Sequence, residues 1–246
     1  MSILALYHMK GGVGKTTAAV NFAYLAARDG KRTLLIDLDP QGSASFYFRV
    51  RSNKSFSVKS LAKRKRGIER NIKGSDFDSL DILPATLSYR KLDIALSKFK
   101  KPKARLLKIC RKLKKQYDMI IIDAPAGLDL VAENVFAAAD IILLPLIPTT
   151  LSVVTLHQLY AFLNKKKLQK KKFHIFFSMV EKRKKLHQNT MPDIREEFKR
   201  VYIEFIPCSA VVEKMGVQRQ PLPVFAPRSK ASQSFFTLWN EVKNEL

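Results

Sequence analysis

Cysteine is nearly absent from this chain: Cys110 and Cys208 are the two thiols among 246 residues. Two cysteines so far apart exclude a disulfide framework and a zinc site, and they suit a reducing cytoplasm. Cys110 falls on the apolar side of a helical pattern, so it reads as core packing. Long apolar runs are missing too. None approaches the roughly 18 residues of a membrane span, and the amino terminus enters a strand-like run at once, so neither a transmembrane helix nor a signal peptide is expected. Acidic residues are also scarce, 21 Asp+Glu against 45 Lys+Arg, for a formal net charge of +24. That excess goes beyond what solubility requires and points to a polyanionic partner, nucleic acid first. With 46% apolar residues, the chain can bury the core of one α/β domain spanning 1–246.

What is present centres on His8-Met9-Lys10-Gly11-Gly12-Val13-Gly14-Lys15-Thr16-Thr17. The apolar run Ile3 to Tyr7 precedes it, and Thr16 to Arg28 follows with apolar residues at helical spacing until Gly30. Strand, glycine-rich turn and helix in that order make a phosphate-binding loop. Backbone N–H groups and the positive end of the helix face the anion. Gly11, Gly12, Val13, Gly14, Lys15, Thr16 and Thr17 form the cradle, with Lys15 reaching the β- and γ-phosphates and the Thr16 hydroxyl ligating Mg²⁺. The general pattern wants glycine where this chain has Met9.

Two acidic strand ends complete the pattern. Thr33 to Ile36 delivers Asp37-Leu38-Asp39-Pro40-Gln41 to the carboxyl end of a buried strand, where α/β sheets bind ligands. Tyr117 to Asp123 is a second apolar run ending in aspartate, the form of a strand whose Asp123 holds Mg²⁺, through water because that ion dehydrates reluctantly. Ala124-Pro125-Ala126-Gly127 follows it. Further strands are expected at Leu80 to Leu83, Asp140 to Pro145, Phe173 to Val180 and Ile203 to Pro207. Helices are expected at Tyr89 to Ser97, Lys103 to Lys115, Leu151 to Leu163 and Ser232 to Leu246. Between Arg49 and Lys73 the pattern dissolves into Ser, Lys and Arg, so 49–77 reads as a basic insertion or mobile surface segment.

Lys-Gly-Gly-Val-Gly-Lys-Thr-Thr at 10–17 resembles the deviant Walker A box of the ParA/MinD family of P-loop ATPases, and the acidic motifs follow in that family's order. The resemblance implies a doubly wound, mostly parallel sheet with helices on both faces, and ATP and Mg²⁺ as cofactors. It makes Lys10 a catalytic lysine that touches the phosphates held by a second protomer in an ATP-dependent homodimer. It gives Asp39 the task of positioning the attacking water and places Asp37 near the metal beside Thr16 and Asp123. Residues 124–127 become the loop that senses the γ-phosphate, and Pro207 and Cys208 lie near the adenine. Glu181 stands where the family has Asp or Asn, so no base contact is transferred to it. Neither cysteine lies near the sensing loop, which disfavours relatives that dimerise around an iron–sulfur cluster.

The charge is unevenly placed. Residues 119–164 hold no Lys or Arg against four acids and read as core and subunit interface, whereas 165–246 hold 18 basic and 8 acidic residues. No helix-turn-helix precedes the phosphate loop, so nonspecific phosphate contact with double-stranded DNA is expected. The resemblance then implies a cytoplasmic, nucleoid-associated ATPase that segregates plasmid, chromosome or protein cargo and is stimulated by a ParB-like or cargo-adaptor protein. Two other readings stand beside it: a MinD-like membrane-cycling regulator, and a nucleotide-gated DNA-binding scaffold with negligible turnover. Membrane binding is disfavoured because the polar side of the last helix carries Asn240, Glu241, Asn244 and Glu245 against Lys243.

Overall fold

The computed structural model describes residues 1–63 and 67–246, and side chains outside 62–67, so Arg64-Lys65-Arg66 and the Lys63 side chain of the basic run lie outside the described residues. In chain order, β1 (Ser2–Leu6) runs into α1 (Lys15–Arg28) and β2 (Thr33–Asp37). Then α2 (Ser43–Tyr47), α3 (Val58–Lys63), α4 (Gly67–Asn71) and the two-residue β3 (Lys73–Gly74) lead to β4 (Leu80–Leu83). α5 (Leu92–Ser97) and α6 (Arg105–Leu113) precede β5 (Met119–Asp123), and α7 (Leu130–Ala138) joins β5 to β6 (Ile141–Leu146). α8 (Thr150–Lys165) leads to β7 (Phe173–Val180), and α9 (Lys185–Glu197) to β8 (Val201–Pro207). α10 (Ala210–Glu213), α11 (Met215–Gln218), α12 (Leu222–Phe225) and α13 (Lys230–Lys243) follow.

The strands form one sheet in the order β3-β4-β2-β5-β1-β6-β7-β8, parallel except for β3, which pairs antiparallel with β4. Continuous apolar runs such as Ile120-Ile121-Ile122 suit strands covered on both faces. Alternate residues divide between the two layers: Ile3, Ala5, Ile36 and Ile122 pack toward α5, α6 and α7, whereas Leu4, Leu6, Leu35 and Ile121 pack toward α1 and α13. From β1 the chain winds outward through β2 to β4 and later through β6 to β8, so the crevice at the carboxyl end of β1 is a topological switch point.

The expected strands and long helices are present, with local differences. The helix expected over Tyr89 to Ser97 is a 3₁₀ turn at Leu87–Lys91 followed by α5. The one expected from Lys103 starts with a 3₁₀ turn at Pro102–Ala104, because buried Asn134 accepts from the N–H groups of Arg105 and Leu106 and donates to the Pro102 carbonyl. The described part of 49–77 is anchored by Phe56, Val58, Leu61 and Ile68, all buried in the sheet's α5–α7 layer. α9 was not expected. It contains Pro192 and buries only His187 and Ile194, a stripe too thin to register as periodicity.

α13 lays Phe235, Leu238, Trp239 and Val242 against the sheet, with Phe22 of α1 5.8 Å from the Trp239 ring. Burying each such side chain contributes roughly 1.5–3 kcal/mol, so that apolar face is committed to the core. Among the described residues, no helix is long and apolar enough to cross a membrane.

Candidate nucleotide site

The loop from His8 to Gly14 spans the end of β1 and the start of α1. Gly12 (φ 72°) and Gly14 (φ 93°) occupy the left-handed region, where a side chain is strained. A Cβ on Gly14 would also stand 2.8 Å from Ser178 Oγ, because β7 passes directly beside the loop. Gly14 caps α1 without a side chain, and the first turn of the helix carries no acid, so its positive end faces the loop unneutralised. The loop is laced to residues 124–127: Tyr7 Oη donates to the Gly127 carbonyl (2.8 Å), and Gly127 N–H donates to the Met9 carbonyl (3.1 Å).

The two lysines face different ways. Lys15 is buried and its ammonium donates to the Lys10 carbonyl at 2.9 Å. Burial lowers its pKa, while Asp123 and Asp39 oppose the shift. Lys10 instead reaches out of its own loop and donates to the Leu151 carbonyl (2.7 Å) in the first turn of α8. There Leu151 and Val154 are 70% and 46% exposed. The intervening backbone is fixed by His8, whose Nδ1 accepts the Lys10 N–H at 3.0 Å. Burial, then the charges of Lys15 and Lys10, depress the His8 pKa to about 4, so the ring is the neutral acceptor that this bond requires.

Register brings the acids together, since Asp37 and Asp123 are partners across β2 and β5, and Asp123 is the partner of Leu6 on β1. Both are fully buried. Asp37 has its oxygens occupied: Oδ2 accepts from Ser45 N–H (2.8 Å) and Ser45 Oγ (2.6 Å), and Oδ1 from Asp39 N–H (3.2 Å). Burial pushes its pKa up to about 6 against those bonds. Its side chain thus shapes the turn into α2 on which Asp39 sits. Asp39 is half-buried, and its Oδ1 accepts the Gln41 N–H (2.9 Å). Asp123 differs, because among the described residues neither of its buried oxygens has a hydrogen-bond partner. Burial, then Asp37, raises its pKa well above the carboxylate range, while the nearby Thr16 hydroxyl and Lys15 ammonium oppose the rise. A buried carboxylate with open oxygens beside a hydroxyl and a phosphate cradle fits a hydrated Mg²⁺.

Beyond Gly14 a cleft continues between Thr17, Ser178, Met179, Pro207, Cys208 and Val212. It brings Pro207 and Cys208 beside Gly14. Glu181 does not line it and is paired with Lys184. Ser178, Ser45 and His8 were not singled out from the sequence. Their roles depend on which backbone comes close in three dimensions, and no local pattern announces that. Cys110 is buried and its thiol pKa is pushed up to about 12 by that burial, as suits a packing residue.

A glycine loop capping a helix, two acidic strand ends and a doubly wound parallel sheet define a P-loop nucleoside triphosphatase. The family model described as AAA domain matches residues 1–176, and the chain belongs to that family. Its second loop lysine and its relatives place it among the ParA/MinD P-loop ATPases. It is 29% identical to the sporulation initiation inhibitor protein Soj of Bacillus subtilis, over 98% of this chain and 97% of that protein. Its fold is similar to a putative plasmid partition protein of Borrelia burgdorferi bound to AMPPNP (TM-score 0.85, 21% identity, 100% and 99% of the two chains). It is likewise similar to the cell division ATPase MinD of Pyrococcus furiosus (TM-score 0.80, 21% identity, 100% and 99%).

Proposed function

We propose that this chain is a partitioning ATPase that pairs on ATP, binds duplex DNA without sequence preference while paired, and is released when a partner protein stimulates hydrolysis. The observation that carries this reading is the divergence of the two loop lysines: Lys15 turned inward over the cradle, Lys10 turned outward to an exposed apolar patch on α8. Within one protomer a single buried lysine serves the phosphates. A second lysine at an exposed rim gains a phosphate contact when another protomer brings its own nucleotide to that rim.

Gly11 to Thr17 would hold the triphosphate, and Thr16 and Asp123 would hold Mg²⁺, with Asp37 behind them fixing the turn. When bound, Mg²⁺ neutralises charge on the β- and γ-phosphate oxygens. Lys15 holds those same oxygens from within the protomer, Lys10 supplies charge from across the pair, and Asp39 orients the attacking water. Pro207 and Cys208 flank the base. Support for the DNA step is the net charge of +24, together with relatives among chromosome-partitioning proteins. An ATPase assay with and without mixed-sequence duplex tests the reading: turnover that rises with duplex and falls away in Lys10→Ala supports it. Turnover indifferent to both DNA and Lys10 overturns it.

A further inference from the structure

The 3₁₀ turn Leu87–Lys91 and α5 make one short rod on the outside of the α5–α7 layer, and its two sides differ in kind. Tyr89, Leu92 and Leu96 are buried on the inner side. On the outer side Leu87, Arg90, Lys91, Ile94 and Lys98 are exposed, Leu87 by 64% and Ile94 by 54%. A single apolar side chain in water needs no explanation, but these two recur along one face about two helical turns apart. The charge around them is of one sign. Residues 87–101 hold Arg90, Lys91, Lys98, Lys100 and Lys101 against the single acid Asp93. Among the described residues none of these basic side chains has a carboxylate partner. The rod is also pinned from behind to the turn that carries Asp39. Ala85 N–H donates to Ser45 Oγ at 3.0 Å, Ser45 Oγ donates to Asp37 Oδ2 at 2.6 Å, and Asp39 N–H donates to Asp37 Oδ1 at 3.2 Å. Ser88 Oγ accepts the Val58 N–H at 2.9 Å, which fixes the start of the rod.

We infer that this face docks an acidic amphipathic helix of a partner protein, and that its occupancy reaches Asp39 through Ala85, Ser45 and Asp37, a regulation that rests on the role given to Asp39 above. A helix laid along the rod meets Leu87 and Ile94 with its own apolar stripe, and its flanking carboxylates meet the basic residues. Water leaving the apolar contacts supplies affinity, and the opposite charges supply orientation and speed of encounter. Duplex DNA would match the charge and leave Leu87 and Ile94 uncovered. An anionic bilayer would need a broader apolar face than two side chains provide. None of these residues belongs to the phosphate loop or to the Lys10 rim on α8, so docking and nucleotide binding use separate surfaces.

The test is fluorescence anisotropy of a labelled peptide helix of about five turns, built from Leu, Glu and Ala with Leu along one stripe and Glu flanking it, added to the full chain with ATP and Mg²⁺. A peptide of the same composition in scrambled order is the reference. The wild type is expected to bind the patterned peptide about tenfold or more tightly than the scrambled one, and less tightly as salt rises. Leu87→Ser/Ile94→Ser and Lys91→Glu/Lys98→Glu should each weaken binding by about tenfold or more, with basal turnover within about twofold of the wild type. Saturating patterned peptide should change wild-type ATP turnover by about fivefold or more and leave both variants as they were. Equal binding of the two peptides, or binding undisturbed in both variants, would overturn the inference, as would turnover unmoved by bound peptide. Phosphatidylglycerol vesicles or mixed-sequence duplex held through these residues in place of the peptide would overturn it too. Each of these failures leaves DNA-stimulated, Lys10-dependent turnover as it stands, whereas turnover indifferent to DNA and Lys10 overturns the earlier reading instead.

Discussion

At the residue scale the site depends on three side chains acting through geometry that others maintain. Lys10→Ala is expected to lower turnover by about 10²-fold or more while ATP binding falls less, since the lost contact acts on charge developing in the transition state. Single-turnover kinetics beside equilibrium nucleotide binding separate the two effects. Asp39→Ala should hold a nucleotide-loaded state that turns over slowly, and wild-type turnover in that variant would remove Asp39 from its role. His8 gives a pH signature. Its pKa is about 4 in the folded chain against an ordinary 6.5, so between those values the unfolded chain binds more protons. Stability is therefore lost as pH falls from about 6.5 to 4, by up to about 3 kcal/mol. Thermal melts of His8→Asn across that window should show a shallower fall than the wild type. Lys15, Asp39 and Asp123 were legible as motif positions at strand and loop ends. Ser45, which holds the buried Asp37 carboxylate, and Ser178, which forbids a side chain at Gly14, were not. Each acts on a residue distant in sequence, a relation that only the folded sheet creates.

At the scale of elements, what could be read was what periodicity encodes. β4 and β7 have the expected bounds, because continuous apolar runs bounded by polar residues mark buried strands. The 3₁₀ turns before α5 and α6, the helix α9 through Pro192 and the four-residue helices α10 to α12 were illegible. They are shaped by tertiary hydrogen bonds such as Asn21 Oδ1 accepting the Leu222 N–H at 2.8 Å. The exposed edge strand shows the same dependence. Glu241 of α13 accepts from the N–H groups of Ile203 and Glu204, both at 2.9 Å, and so covers the open edge of β8, on which Ile203 is 81% exposed. Glu241→Ala should lower stability by about 1–3 kcal/mol and, by freeing an edge, promote nucleotide-independent association. Denaturant melts and light scattering without ATP read both effects, and a variant that stays monodisperse and equally stable would show that the edge needs no cover.

At the scale of the whole molecule, the parallel topology separates two electrostatic ends. The glycine loop and the buried pair Asp37 and Asp123 gather at the carboxyl ends of the strands, whereas Lys114, Lys115, Lys170, Lys171 and Lys199, none with a carboxylate partner among the described residues, lie before strands at the amino ends. Net charge and its uneven placement were legible in the sequence. That three separate basic runs meet on one face was not, because strand order brings them together. If six or more phosphates are neutralised, affinity for duplex should fall by roughly 10³–10⁵ between about 50 and 200 mM salt. The central claim is that Lys10 joins two nucleotide-loaded protomers, and sedimentation velocity in an Asp39→Ala background tests it most directly. With ATP and Mg²⁺ the chain should sediment as a dimer, with ADP as a monomer, and the added Lys10→Ala change should shift the ATP state toward monomer. A monomer under every nucleotide, or an ATP dimer indifferent to Lys10, would contradict it.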